Sequence, residues 1–296
     1  MQTKTKFIGF FLLLFILFGY AQKNTVKVIL LAGQSNIQGH GDYDLLEDSV
    51  KQRIQKIAHR VYLSTSDNSK IEPKPLSYYT QNDRRGKYNF QHHFGPEIFV
   101  GLTMAEAYPN QQFLLIKKAV GGTSLHGAWS ANWTQEKANV SEIGAERKAL
   151  QLYKAHLKNI ESNLNRLKQD GKSYQIIGLA WMQGEADTNS QLKANNYQQN
   201  LENLIAAYRA ELGKLDFPFV IGQINVLPRK YKQGPTIVRK AMETVANKDT
   251  NVALIKTSTN PSWLDYPKHS DNIHYNTEGQ KRLGTDFGKR LIEFIK

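Results

Sequence analysis

Val28-Ile29-Leu30-Leu31-Ala32-Gly33-Gln34-Ser35-Asn36 is the stretch that decides the fold of this chain. Four apolar residues run without a break, and Val26 sits just upstream. A strand with one wet face alternates apolar and polar residues. An unbroken apolar run belongs to a strand buried on both faces, as in a parallel sheet covered by helices. The run then stops at small and polar residues. Open α/β sheets place their chemistry beyond the carboxyl ends of the strands. Ser35 is therefore expected at the rim of the sheet, on a turn that Gly33 permits. A single Gly-x-Ser after a strand is more often an ordinary turn, so the rest of the chain must decide its role.

The same pattern recurs downstream. Strands are expected over 24–31, 57–63, 113–116, 174–181, 219–224 and 252–255. Helical spacing separates the later ones. Gly95-Pro96-Glu97 opens a helix, with proline in its first turn and a carboxylate at its positive end, and Pro109 closes it. Leu150, Tyr153, Leu157, Ile160, Leu164 and Leu167 recur at three and four, so one helix is expected over 142–168, ended by Asp170-Gly171. Others are expected over 192–215, 235–246 and 277–295. Strands that alternate with helices predict an α/β domain, a three-layer α/β/α sandwich with a central parallel sheet. A closed barrel of parallel strands needs more strands than these. No linker or repeat divides the chain, so residues 22–296 are read as one domain. The polar, aromatic stretch 64–91 has no clear period and reads as a long loop. It is expected either to meet substrate through Tyr78, Tyr79, Tyr88 or Phe90, or to be a surface insertion with its own apolar plug.

Composition narrows the class. Lys and Arg outnumber Asp and Glu by 39 to 26 in 296 residues, but they are scattered. The densest group, Arg229, Lys230 and Lys232, has no aromatic ladder around it, so nucleic acid is not an expected partner. The chain has no cysteine, which excludes a disulfide scaffold, a thiol nucleophile and a Cys-based zinc site. The first residues read as a secretory signal over 1–21: Lys4 and Lys6, an apolar run over 8–18, then Gly19, Tyr20 and Ala21. Cleavage after Ala21 leaves Gln22 first in a secreted or periplasmic chain with no stable membrane insertion. A retained anchor is the alternative.

Four stretches end strands or loops with groups that can do chemistry: Ser35, Gly121-Gly122, Gln183-Gly184-Glu185, and Asp271 with His274. Serine hydrolysis needs that inventory: a nucleophile, a base, an orienting carboxylate and donors for an oxyanion. Each also has a plainer role. His274 can cap the region of the last helix, the glycines can form a turn, Gln183 can satisfy loop backbone, and Glu185 can begin a helix. His92, His93, His126, Asp187 and His269 show no ligand spacing, so no metal is expected, and serine hydrolysis by these side chains requires no organic cofactor.

Taken in order, the motifs Gly33-Gln34-Ser35-Asn36, Gly95-Pro96-Glu97, Gly121-Gly122-Thr123-Ser124, Trp181-Met182-Gln183-Gly184-Glu185-Ala186-Asp187 and Asp271-Asn272-Ile273-His274 resemble the SGNH hydrolase superfamily. Within it they are similar to the sialate O-acetylesterase-like and carbohydrate esterase family 6 (acetylxylan esterase) group. The resemblance spans about residues 26–294. It implies a flavodoxin-like sandwich and a serine esterase that removes O-acetyl groups from acetylated oligo- or polysaccharides. It implies Ser35 as nucleophile, His274 as base and Asp271 as the third member. It also implies oxyanion donors at the Ser35 amide, at Gly122 rather than Gly121, and at Gln183, where much of the superfamily carries asparagine. Glu185 is implied to support the base or brace the Gln183 loop. Acetylated xylan is the first expected substrate and acetylated sialic acid the rival. A sugar-binding protein without turnover is the alternative outside the class. Trp129, Trp133 and Trp263 are sugar-stacking candidates by type, with core or loop packing as the alternative.

Overall fold

The sheet is built outward from the first apolar run. A computed structural model describes residues 25–65, 68, 70, 72–81, 87–260 and 262–295. The signal segment expected over 1–21 lies outside them. β1 (Thr25–Gly33) leads into α1, a single turn over Ser35–Gln38, then β2 (Gly41–Asp42), α2 (Asp48–Ile57), β3 (Val61–Ser64), β4 (Lys74–Pro75), β5 (Tyr79–Thr80) and β6 (His92–Phe94). α3 (Glu97–Ala107), β7 (Phe113–Ala119), α4 (Gln135–Ser141), α5 (Ala145–Lys148), α6 (Leu152–Gln169) and β8 (Ser173–Met182) follow. The chain continues through α7 (Gln191–Asn195), α8 (Tyr197–Glu211), β9 (Phe219–Gly222), α9 (Gly234–Lys248), β10 (Val252–Ile255) and α10 (Thr277–Glu293).

Seven strands form one sheet in the order β10-β9-β8-β1-β7-β3-β4, parallel throughout except for the β3–β4 pair. Leu30 lies opposite Ile116 of β7 and Leu179 of β8, and all three side chains are fully buried. The unbroken apolar run of β1 thus reflects a central position covered on both faces. α3 and α10 pack on one face, and α6 and α9 on the other with α8 against them. The layers are the expected three. At Gly284 and Gly288 of α10 the helix approaches α3 so closely that a Cβ would lie 2.3 Å from Pro96 O and 2.7 Å from Thr103 Cβ.

Five strands, β7-β1-β8-β9-β10, follow the flavodoxin-like order 2-1-3-4-5, with β3 and β4 added beyond β7. The chain leaves β1 for one side of the sheet and later returns to its other side. That reversal opens a crevice past the carboxyl ends of β1 and β8, where doubly wound folds bind ligands.

The structure differs from the expected elements in several places, and α1 and α2 form where no helix is expected. The loop expected over 64–91 contributes β5 to a small antiparallel sheet ordered β2-β6-β5. Its strands, two or three residues each, are too short to show a period. The helix expected from 142 begins at Leu152, because Gly144 takes a positive φ of 86° and Glu142 turns inward. Glu142 Oε1 there accepts from Ser124 N, Ser124 Oγ and Ala128 N at 2.9, 2.6 and 3.0 Å. The span 192–215 is two helices that meet at Asn196.

Candidate active site

Ser35 is placed by the way β1 ends. Gly33 lies so close to β8 that a Cβ would fall 2.0 Å from Met182 O, and Gln34 N donates to that carbonyl at 3.0 Å. The chain then turns at once into α1. Ser35 is its first residue, where a backbone N–H has no partner within the helix.

His274 comes from the loop between β10 and α10, and Asp271 shapes that loop. Asp271 Oδ1 accepts from the amides of Ile273 and His274 at 2.8 and 2.9 Å. Asn272 between them takes a positive φ of 56°, a conformation asparagine tolerates better than most residues. Asp271 Oδ2 lies 2.6 Å from His274 Nδ1, and His274 Nε2 lies 2.9 Å from Ser35 Oγ. Burial pushes the Asp271 carboxyl up, but donors from His274, Lys87 and Ile273 outweigh it and hold the group well below the usual carboxylate range. Asn36 locks the two halves together. Its Nδ2 donates to Glu185 Oε1 at 2.8 Å and to Ile273 O at 3.2 Å, and its Oδ1 accepts from Tyr275 N at 3.1 Å.

Gly121 packs against the serine: a Cβ there would lie 3.4 Å from Ser35 Cβ. Gly122 has a φ of 72° and lies under Arg147, whose guanidinium a Cβ would meet at 3.3 Å. Among the described residues, no group accepts a hydrogen bond from either glycine amide.

Gln183 departs from expectation. Its side chain is fully buried, and its Nε2 donates to Asp187 Oδ2 at 2.6 Å and Thr123 O at 3.0 Å. The amide is committed beneath the site and does not face the cleft. Asp187, pushed up to about 6 by burial, also accepts from Leu125 N and His126 N. Gln183 and Asp187 together tie the loop after Gly122 to the end of β8. Gln34 stands at the cleft wall instead. Its Oε1 is turned toward the amides of Gly184 and Ala186 at 3.4 and 3.3 Å, and its Nε2 has no partner among the described residues. Its place beside Ser35 in the Gly-Gln-Ser-Asn motif was the available signal.

The three tryptophans do not line the cleft. Trp129 is core, edge-on to Trp181 at 5.2 Å. Trp133 is not part of the cleft wall, and Trp263 lies against Tyr266 in a separate hollow. The aromatic wall is Tyr88, stacked 4.7 Å from His40. Of the four loop aromatics, only Tyr88 reaches the cleft. Tyr79 OH donates to Gly39 O, and Tyr78 packs on Tyr43 and His92.

The cleft has a volume of about 600 Å³. Ser35, His274 and the glycine pair lie in it with Lys87, Arg147 and Arg229. Among the described residues its one acidic wall residue is Glu185, whose carboxyl burial pushes up against the pull of its own backbone, Asn36, His274 and Arg229. Burial, with neighbouring His274, His93, Lys87 and His269 adding to it, lowers His40 to about 3, so that ring is neutral.

A family model described as carbohydrate esterase, sialic acid-specific acetylesterase, matches residues 25–293. The chain belongs to that family. It is accordingly a serine-type carbohydrate esterase. No curated protein matches the sequence. Among solved structures, the esterase is similar to a protein of Arabidopsis thaliana at 19% identity, with a TM-score of 0.64, covering 91% of this chain and 98% of the other. It is similar to NanS at 14% identity and a TM-score of 0.63, over 92% and 98%. It is also similar to a carbohydrate acetylesterase from Xanthomonas citri at 16% identity and 0.54, over 89% and 54%. At these identities the likeness is one of fold. No helix among the described residues is long and apolar enough to cross a membrane.

Proposed function

We propose that this esterase removes O-acetyl groups from acidic sugars of the sialic acid class, with Ser35 as nucleophile, His274 as general base and Asp271 as the carboxylate that orients the ring. The hydrogen-bonded line from Asp271 through His274 to Ser35, at 2.6 and 2.9 Å, carries the chemical part. It speaks against a binding protein without turnover.

The steps follow from that line. His274 Nε2 takes the Ser35 proton as Oγ attacks the acetyl carbonyl. Charge on the carbonyl oxygen meets the amides of Ser35 and Gly122, with Gln34 Nε2 as the side-chain donor in place of Gln183. The imidazolium returns its proton to the leaving sugar hydroxyl. Water then repeats the sequence on the acetyl-enzyme and releases acetate.

The substrate assignment rests on charge. Arg147 and Arg229 both face the cleft, Arg147 with no ion-pair or hydrogen-bond partner among the described residues. The acid beside them is held toward its neutral form. Such a wall favours a sugar that brings its own carboxylate, which arginine binds in a bidentate fork. An acetylated xylose unit offers no such group, and the family match favours the sialate over xylan. The test is acetate release from acetylated sialic acid, acetylated xylan and an aryl acetate, by the wild type and Arg147→Ala. A charged hydrogen bond is worth roughly 1.5–3 kcal/mol, so kcat/KM on the sialate should fall about 10–100-fold, far more than on the aryl acetate. Equal losses on both, or xylan as the better substrate of the wild type, would place the specificity elsewhere.

A further inference from the structure

Lys87 extends the Asp271–His274 pair from outside. Its Nζ lies 2.7 Å from Asp271 Oδ2 and 2.9 Å from His274 Nδ1. Oδ2 therefore receives two donors, the ring N–H at 2.6 Å and the ammonium, while Oδ1 is committed to two backbone amides. A carboxylate with four donors stays ionised. The proton between ring and acid accordingly sits on Nδ1, leaving Nε2 free to accept from Ser35.

We infer that Lys87 is a positioning residue for acyl transfer, one that holds Asp271 Oδ2 and keeps a fixed positive charge beside the catalytic imidazole. The inference rests on the serine mechanism proposed above. Among the described residues, the other titratable groups around the ring differ in kind. His40 stands edge-on at 5.1 Å and is neutral. Glu185 is bound to Asn36 and pushed toward its uncharged form. Lys268 donates to the carbonyls of Asn225 and Asn272, and His269 Nε2 donates to His40 O. Among the described residues, Lys87 is the cation in contact with both members of the pair.

The consequence lies in the proton path. As the Oγ–carbon bond forms, the Ser35 proton moves to Nε2. As the bond from the carbonyl carbon to the sugar oxygen breaks, that oxygen takes the same proton. Between the two events the imidazolium stands between one carboxylate, which stabilises it, and one ammonium, which offsets part of that stabilisation. The ammonium disfavours a lingering imidazolium and favours return of the proton to the leaving oxygen.

The test is the pH profile of kcat/KM on an aryl acetate, pH 4 to 9, for the full chain, Lys87→Met and Lys87→Arg. A like charge at contact in a partly wet site is worth about a decade in protonation. The acid limb of Lys87→Met should therefore move up by about one pH unit, while Lys87→Arg keeps the wild-type limb. A merely structural ion pair would lower the plateau and leave the limb in place. Superimposed limbs for wild type and Lys87→Met, or an equal shift in both variants, would overturn the inference. Ser35→Ala in the same assay separates the two claims. If it stays active, the serine mechanism falls and this inference with it. If it is inactive while the limbs superimpose, only the role of Lys87 falls.

Discussion

His274→Ala is expected to lower kcat on the order of 10⁵–10⁶-fold while the protein stays folded. In the proposed mechanism the ring is the base that reaches the nucleophile: Ser35 Oγ has no other hydrogen-bond partner among the described residues. Glu185 does not substitute for it, since its Oε1 is held by Asn36 and neither of its oxygens hydrogen-bonds Ser35 Oγ. His40 is neutral and stacked on Tyr88. When a nucleophile's base is removed and nothing replaces it, losses in serine hydrolases reach about 10⁶ in kcat. The imidazole sits at the edge of a cleft, so its removal should cost no more than about 2 kcal/mol of stability. Steady-state rates on an aryl acetate, with a thermal unfolding curve for each protein, check both parts. Activity within tenfold of wild type would mean that another group takes the Ser35 proton.

Asp271→Asn is expected to lower kcat on the order of 10⁴-fold, and Glu185→Gln by no more than about tenfold. The Asp271 carboxylate satisfies the Ile273 amide, the His274 amide, the ring N–H and Lys87 with two oxygens. An amide has one oxygen, so its NH₂ must face a donor. It also loses the charge that stabilises the imidazolium and the acceptor that selects the productive tautomer, a change worth about 10⁴ in a well-studied serine protease. Glu185 differs in geometry. Its Oε1 accepts from Asn36, and its Oε2 is buried without a partner. Glutamine keeps the first contact and leaves a buried NH₂ unpaired, which costs stability, about 1–3 kcal/mol, more than rate. Rates and unfolding curves for both variants decide the matter. If Glu185→Gln is the inactive one and Asp271→Asn keeps near-normal activity, Glu185 is the orienting acid.

The scaffold was legible because β1, β7 and β8 are buried on both faces and so announce themselves as unbroken apolar runs. Asp271 and His274 were legible as a pair because three residues of one loop can close an Asx turn. α2 carried a readable signal in Val50, Ile54 and Ile57, at spacings of four and three, although no element was expected there. α1 carried none, since one turn has no period. Gln183 shows a limit of another kind. Its place after a buried strand locates it near the site, but the direction of its amide depends on Asp187, which only the folded chain brings beneath it. Aromatic type likewise did not separate Trp129, a core residue, from Tyr88, which lines the cleft. Lys87, Arg147 and Arg229 come from three separate stretches of chain, and no spacing in the sequence links them.

In the proposed mechanism Ser35 forms the acyl-enzyme. Covalent trapping tests it most directly: inactivation by an aryl phosphonate ester, followed by peptide mass mapping. One adduct is predicted, on Ser35, accumulating in step with the loss of acetylesterase activity. Complete inactivation with Ser35 unmodified would contradict the account.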